Sequence, residues 1–592
     1  MTNRKVSFGR VFWPSFLATL LVAIVVILLS VLILGGAIAG LTSEKVKSYK
    51  DGTVLHLTLQ GPISEKSHSD IDPVTMRVNK TVGLSELLYG FEMAKKDDRI
   101  RGVFLELDGV SCRMATAHEI REAINDFEQS GKFVIAYNAG EIITQKEYYI
   151  SSAANTCYGF PSSMMEFVGL GAELTFFKNT LEKVGVEMQV VRGRNNDFKS
   201  AVEPFFRESM SDSSRLQTER YVSLLWKQMR EDIAHDRKMS SEKLNHLAEN
   251  LDVKNPKEAV KHGLMDATKY RDEVLTILAK KSGAGSEKEL KLSSFEAYAA
   301  DKFKLDQKQK SKANVAVILA EGDVVRQGDG LSSEKLCQEL KKVRLNKKIK
   351  AVVLRVNSPG GSALASDEIW REVDLLNKKK KVVVSMGDLA ASGGYYISCP
   401  ASYIFADPNT ITGSIGVFGM IPFTGKLMQD KLGLSFDQIS TNKHAVVSTN
   451  RKLTDEEKEI IQREVDQIYD DFLARVSTGR KIEVARANQL GRGRVWLGSD
   501  AKKIGLVDEL GGLREAITFA SKKAGIKDPE VIYYPRKKEN PLEKIVEALD
   551  EQGNVKSSGK LTDQLYQQYQ LIKSIDQRTG IQMRMPFDLI IR

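Results

Sequence analysis

The sequence predicts an α/β protein made of two tandem repeats that follow an N-terminal membrane-spanning segment. Three observations lead there: an uncharged apolar run near the N-terminus, a set of motifs that recurs at a nearly constant separation, and the same alternation of strand-like and helix-like segments in each half. The chain has 592 residues, with 42% hydrophobic and 28% charged, a composition of globular rather than disordered or collagen-like proteins. Four cysteines (Cys112, Cys157, Cys337 and Cys399) form no CxxC pair, which excludes a disulfide scaffold and the common zinc ribbons. Lys and Arg exceed Asp and Glu by 10, but the surplus is spread over short runs, so nucleic acid is not an expected partner.

Residues 11–43 contain no Asp, Glu, Lys or Arg, a stretch longer than the roughly 20 residues that cross a bilayer. Arg4, Lys5 and Arg10 precede it and Glu44, Lys45 and Lys47 follow. That balance favours a cytoplasmic N-terminus at 1–10, with the bulk of the chain across the membrane. Ala37-Ile38-Ala39 has the small-x-small form of a signal-peptide cleavage site, but the apolar core of a signal peptide is usually about 7–15 residues, and an uncleaved anchor is the favoured reading.

The first repeat is placed at 44–279, a linker or crossover at 280–312, the second repeat at 313–534 and a tail at 535–592. Tyr148-Tyr149-Ile150-Ser151 recurs as Tyr395-Tyr396-Ile397-Ser398, and Ala259-x-x-x-Gly263-Leu264-x-Asp266 recurs as Ala501-x-x-x-Gly505-Leu506-x-Asp508. Each half opens with a β-rich run (54–61 and 314–322) and continues with a buried strand, VFLELD or AVVLRV. A helix follows (AHEIREAINDFEQ or SDEIWREVDLLNKK), then a second strand (KFVIAYN or KVVVSMG) and a helix near the YYIS motif. This alternation predicts βαβ units and a largely parallel sheet. Long polar helices are expected at 211–235 and at 454–478, the latter opening with the capping-box spacing Thr454-x-x-Glu457. The 280–312 stretch is rich in Lys, Ser and Gly, as a linker would be. Within the tail, 583–591 (MRMPFDLII) looks like a docked apolar terminus, packed on its own chain or a neighbour.

The halves differ at two glycine-rich stretches. Asn357-Ser358-Pro359-Gly360-Gly361-Ser362 follows one strand of the second half, and Ala390-Ala391-Ser392-Gly393-Gly394 follows the next and opens a helix. The first half has Asp108-Gly109-Val110-Ser111 and Ile143-Thr144-Gln145-Lys146-Glu147 there, so that Ser392 corresponds to Gln145. A serine between small residues at a strand-to-helix turn exposes its hydroxyl beside the positive end of a helix, a nucleophile's position. A neighbouring glycine loop can turn backbone N–H groups toward the same point, as an oxyanion hole requires. Either loop alone reads equally well as a turn with a helix cap; both together, in one half only, favour chemistry.

The seven histidines include no HExxH and no triad motif. Lysine can serve as the base when burial lowers its pKa. Ser332-x-x-Lys335 and Ser240-x-x-Lys243 lie in charged helical segments and read as surface features. Lys199, in Phe198-Lys199-Ser200-Ala201-Val202, aligns with Val446 or Val447 of the second half. One half therefore has the serine without a lysine and the other a lysine without the serine, the pattern expected of a site assembled across the halves.

With these residues together, the chain resembles the long, double-domain form of the signal peptide peptidase A (protease IV) family. The resemblance is carried by NSPGG at 357–361, MGDLAASGGYYIS at 386–398, ADPNTITGSIGVFG at 406–419, FKSAVEPF at 198–205 and GRVWLGSDAKKIGLVDELGG at 493–512. It implies Clp-protease/crotonase-like repeats, Ser392 as nucleophile, Lys199 as general base and Ser414 as the serine that orients the lysine. It implies Gly360, Gly361 and Gly393 at the oxyanion hole, and neither metal nor cofactor. It further implies a homo-oligomer, commonly a tetramer, on the outer face of the bacterial cytoplasmic membrane, with signal peptides and other apolar peptides as substrates. The absence of glycine pairs in the first half implies one active site per chain. Two other readings stay open: a non-catalytic envelope peptide-binding scaffold, and a crotonase-like acyl-transfer enzyme.

Overall fold

The computed structural model describes residues 13, 16–22, 49–71, 78–308, 313–535 and 580–585. The described residues 50–68, 81–308, 313–535 and 580–585 fall in one compact unit that carries both repeats. The expected anchor at 11–43 lies mostly outside the described residues. Of it, Trp13 and residues 16–22 are helical and exposed. Among the described residues, no helix is long and apolar enough to cross a membrane.

In the first repeat, Thr53–Ser64 runs parallel to Ile100–Ser111, which pairs with Phe133–Asn138. The sheet continues outward through Thr156–Gly159 and Ala267–Thr268. The second repeat has the same arrangement: Val315–Glu321, Ala351–Ser358 and Val382–Ala391 are parallel neighbours. Tyr403–Ala406 pairs with the start of Val382–Ala391 and Ile411–Gly413 with its end. Strands buried on both faces read as continuous apolar runs, which is why VFLELD and AVVLRV were legible as strands. The strand expected at 381–387 extends further, to Ala391, with all ten of its residues buried.

The recurring motifs recur because they make the same hydrogen bonds. Tyr148 Oη donates to Leu264 O, and Tyr395 Oη to Leu506 O, both at 2.8 Å. Asp266 accepts from Cys157 N–H at 2.7 Å and Asp508 from Ile404 N–H at 2.8 Å. Arg237 and Arg480 close the two arrangements on the same aspartates. The two long helices span Asp212–Asp236, capped by Ser211, and Asp455–Arg480, where the Thr454–Glu457 capping box forms.

The linker expectation at 280–312 needs correction. Leu292–Ser294 is a strand parallel to Thr53–Ser64, and Phe295–Lys308 is a helix packed on Leu84–Lys96. Phe295, Tyr298 and Ala299 are buried, and they place apolar groups at i, i+3 and i+4 of an otherwise polar segment. Composition averaged that stripe away.

The repeats interlock. Glu187–Arg192 of the first repeat leaves its own sheet and runs antiparallel to Phe418–Phe423 of the second, from Arg192 opposite Phe418 to Glu187 opposite Phe423. Buried charge ties them further: Arg355 donates to Glu65 at 2.9 Å, to Glu119 at 2.5 Å and to Ser385 Oγ at 3.0 Å. His118 of the first repeat meets Asp407 of the second at 2.5 Å. Burial opposes charge on this imidazole, but the Asp407 carboxylate outweighs it and raises the pKa to about 9. A raised histidine pKa contributes stability that is complete below the unfolded value of about 6.5 and lost as pH rises through the folded one. Melting temperature is therefore expected to fall between about pH 6.5 and 9, and His118→Asn is expected to flatten that part of a calorimetric pH series.

Candidate active site

Ser392 is the single residue between the strand Val382–Ala391 and the helix Gly393–Ser398. It adopts φ 56° and ψ −113°, a conformation that costs a non-glycine residue about 1–3 kcal/mol and clusters at active sites. The turn is held on both sides: Ser392 N–H donates to Gly413 O and Tyr396 N–H to Ser392 O, each at 2.8 Å. Glycine is required next, since a Cβ on Gly393 would stand 2.6 Å from Ser366 Oγ and 3.2 Å from Gly361 N. The Gly360–Gly361 backbone therefore packs closely against Gly393, the residue that follows Ser392. The Gly360 N–H donates to Ser358 Oγ at 3.2 Å and is already engaged in the turn.

Lys199 reaches the same point from the first repeat. The antiparallel pairing of Glu187–Arg192 delivers the chain over the second repeat, and a short loop follows before the 3-10 turn Ser200–Val202. Phe198 N–H donates to Arg492 O at 3.0 Å, and Gln217 Nε2 holds Phe198 O at 3.1 Å and Ser200 Oγ at 2.9 Å. Gln217 Oε1 accepts from Val495 N–H at 3.1 Å, so one side chain fastens both repeats around the lysine. Gly493, at φ +74°, packs so closely that a Cβ would stand 2.5 Å from Lys199 Cβ.

Lys199, Ser392 and Ser414 are all 0% exposed. Lys199 Nζ lies 2.8 Å from Ser392 Oγ and 3.0 Å from both the carbonyl oxygen and Oγ of Ser414. Burial pushes the amine well below the ordinary lysine range. Ser414 is fixed at φ 48° by its own N–H, which donates to Arg494 O at 2.7 Å. The sequence-predicted residues Lys199, Ser392 and Ser414 thus meet at one point, with Gly361 and Gly393 beside them. Ser240 and Ser332 are helix caps, each accepting from the backbone N–H of the lysine three residues on.

Gln217 had no place in the sequence reading, and Gly493 and Arg494 entered it only as the first residues of the 493–512 stretch, with no role at the site. Gly493 belongs to the Gly491-Arg492-Gly493-Arg494 run, the one visible signal. Gln217 sits in a polar helix and carries none.

The corresponding place in the first repeat is filled. Gly109 and Val110 N–H groups donate to Glu147 Oε1 at 2.5 and 3.1 Å, and Thr144 N–H donates to Oε2 at 2.8 Å. A resident carboxylate takes up the backbone amides of this turn, and Gln145 stands at the serine's position, its side chain bonded to the backbone of Val168 and Gly169.

A buried serine and a buried lysine from two α/β repeats meet here within hydrogen-bond distance, and comparison with known proteins gives the class. The model for Peptidase family S49 matches residues 126–285 and 374–527, once in each repeat, and the chain belongs to that family. Serine protease SPPA, chloroplastic, of Arabidopsis thaliana is 34% identical over 81% of this chain and 70% of its own length. Protease 4 of Haemophilus influenzae is 34% identical over 75% of this chain and 73% of its own, and Protease 4 of Salmonella typhi 33% identical over 76% and 74%. Family and relatives together make the chain a serine peptidase. Among solved structures, a ClpP1 mutant from Listeria monocytogenes covers 36% of this chain and 98% of its own at 18% identity, with a TM-score of 0.24, too low to bear on the fold.

Proposed function

We propose that the chain is a single-pass, membrane-anchored endopeptidase that degrades cleaved signal peptides and other apolar peptides with a Ser392–Lys199 dyad. The observation that carries this reading is the set of three contacts made by Lys199 Nζ in a fully buried site. A neutral amine has two N–H donors and one lone pair. Ser414 O and Ser414 Oγ accept the two donors, which leaves the lone pair for the Ser392 hydroxyl.

The reaction follows from that arrangement. Lys199 takes the Ser392 proton as Oγ bonds to the peptide carbonyl carbon, and the oxyanion is held by the Gly361 and Gly393 amides. Gly360 serves by leaving room, since its own N–H is engaged. The Lys199 ammonium then gives its proton to the leaving amine as the C–N bond breaks. Water attacks the ester carbonyl carbon as Lys199 takes a proton from it, and Lys199 returns that proton to Ser392 Oγ as the ester C–O bond breaks and the acyl group leaves as the free carboxyl product. Neither metal nor cofactor has a role in these steps.

A cavity of about 740 Å³ is bordered by Val110, Met114 and Val168 of the first repeat, by Pro359, Leu389 and Ile411 of the second, and also by the charged Arg113, Lys146, Glu166, Asp323 and Asp388. The anchor at 11–43, the division into repeats at 44–279 and 313–534, the Clp-protease/crotonase kinship, the tetramer and the extracytoplasmic face of a bacterial cytoplasmic membrane belong to the same proposal. They are supported by the uncharged run and the family resemblance.

The full chain in detergent, given a synthetic apolar signal peptide, is expected to cleave it, and Ser392→Ala to leave it intact; equal cleavage by both contradicts the dyad. Ser414→Ala keeps the carbonyl acceptor and loses the hydroxyl. It is expected to lower kcat on the order of 10-fold to 100-fold with little change in KM, read from steady-state kinetics.

A further inference from the structure

Gln217 lies in the second turn of the helix Asp212–Asp236 and is 2% exposed. A primary amide carries two N–H donors and one carbonyl acceptor, and here all three are used. Nε2 donates to Phe198 O at 3.1 Å and to Ser200 Oγ at 2.9 Å, on either side of Lys199, and Oε1 accepts from Val495 N–H at 3.1 Å. The helix that presents this amide is tied to the same segment, since its cap Ser211 donates through Oγ to Glu203 at 2.6 Å and through N–H at 3.0 Å.

The bond to Val495 leads to the two serines. The peptide group that joins Arg494 to Val495 gives its N–H to Gln217 and takes the Ser414 N–H on its carbonyl oxygen at 2.7 Å. Val495 also stands opposite Gly413 where Val495–Leu497 runs antiparallel to Ile411–Gly413, and Gly413 O accepts the Ser392 N–H at 2.8 Å. Ser414 in turn meets Lys199 Nζ through its carbonyl and its hydroxyl, each at 3.0 Å. A closed circuit results: from the backbone around Lys199, through Gln217, across one peptide group to Ser414, and back to the Lys199 amine. Gln217 closes it by donating to the first repeat and accepting from the second.

We propose that Gln217 is a positioning residue for the reaction, fixing the base against the serine that orients it and acting through Lys199 and Ser414 rather than on the substrate. The role needs an amide of this length. An ionised carboxylate cannot donate to the Phe198 carbonyl, an apolar side chain can neither donate nor accept, and asparagine is one carbon too short to hold both repeats at once. A misplacement of about 1 Å can cost a reaction on the order of 10²-fold, so loosening the circuit acts on kcat. Substrate binding does not pass through it, and KM is left alone. The inference rests on the Ser392–Lys199 reading above.

Steady-state kinetics of the full chain on an apolar signal peptide test it. Gln217→Met is expected to lower kcat on the order of 10-fold to 100-fold with KM within about twofold of wild type, and Gln217→Asn to fall between the two. Ile233→Val is the control for stability: Ile233 is 0% exposed on the same helix, away from the circuit, and its variant is expected to melt lower while kcat stays within about twofold. Gln217→Met combined with Ser414→Ala is expected to lose less than the product of the two single losses, because both act on one amine. A kcat for Gln217→Met within about threefold of wild type, an equal fall in Ile233→Val, or losses that multiply in full overturns the proposal. If Gln217→Met does not fold, Gln217→Asn decides by the same criteria. If no form of the chain hydrolyses peptide, the peptidase reading fails, and acetylation of Lys199 by acetic anhydride, read by peptide mapping, still decides the positioning. Acetylation about tenfold faster in Gln217→Met than in wild type and Ile233→Val supports it; equal rates overturn it.

Discussion

Replacing Ser392 by Ala, or Lys199 by Met, is expected to lower kcat by about 10³-fold to 10⁴-fold or more, with the double variant no worse than either single one. Under the proposed mechanism the two side chains act as a unit: Lys199 is the basic group that meets Ser392 Oγ, at 2.8 Å. The Lys199 variant also separates catalysis from stability. A buried amine with a depressed pKa is a liability to the fold, because the native chain holds that proton less tightly than the unfolded chain does. Lys199→Met removes that liability and keeps most of the volume, so it is expected to melt at or above the wild-type temperature while being inactive. Lys199→Arg is expected to be inactive for a different reason, since a guanidinium remains protonated and cannot accept the serine proton. Under the proposed mechanism the active form of the wild type is the neutral amine. kcat/KM is therefore expected to rise with pH as Lys199 loses its proton, over a range below the free lysine value of about 10.4, and stopped-time peptide assays across buffers would read it.

Arg355→Met is expected to destabilise the chain by about 3–5 kcal/mol, the usual cost of leaving buried charge without its partner. Arg355 is 0% exposed, and Glu65 and Glu119 approach it from the other repeat. Burial already raises both carboxyls, Glu119 to about 7, against the pull of the guanidinium. Without Arg355 they must protonate or draw in water. The triple variant Arg355→Met with Glu65→Gln and Glu119→Gln is expected to recover much of the loss, because it removes the charges together with their counterion. Denaturant titration followed by tryptophan fluorescence measures both. The same variants test the interlock of the repeats, since Glu65 and Glu119 also accept from Asn357 and from Leu513 N–H of the second repeat.

How much of this was legible in the sequence follows from whether the determinant was local. The core strands were, because burial on both faces writes an apolar run into consecutive residues. The duplication was legible because Tyr148, Leu264 and Asp266 have counterparts held by the same hydrogen bonds. Ser392 announced itself through its glycines, which the close packing at Gly361 and Ser366 requires. Lys199 could be found only by subtraction between the halves, since nothing in its immediate neighbours predicts complete burial. The geometry that buries it comes from Glu187–Arg192 pairing with Phe418–Phe423 of the other repeat, from Gln217 and from Gly493, and the second-repeat partners are more than 200 residues away. The strand at 292–294 and the helix after it were hidden for a related reason: three apolar residues on one face are enough to dock a helix but too few to change the composition of a polar stretch. The C-terminal segment was read only as a docked apolar end; residues 580–584 pair antiparallel with Gly360–Ser362, across more than 200 residues.

Whether a lysine of the first repeat activates a serine of the second is read most directly by labelling with a serine-reactive fluorophosphonate followed by peptide mapping, in wild type and in Lys199→Met. Phosphonylation is expected at Ser392 in the wild type and is expected to be lost in Lys199→Met, with the fold intact. Label on a different serine, or label on Ser392 at an undiminished rate without Lys199, would contradict the dyad.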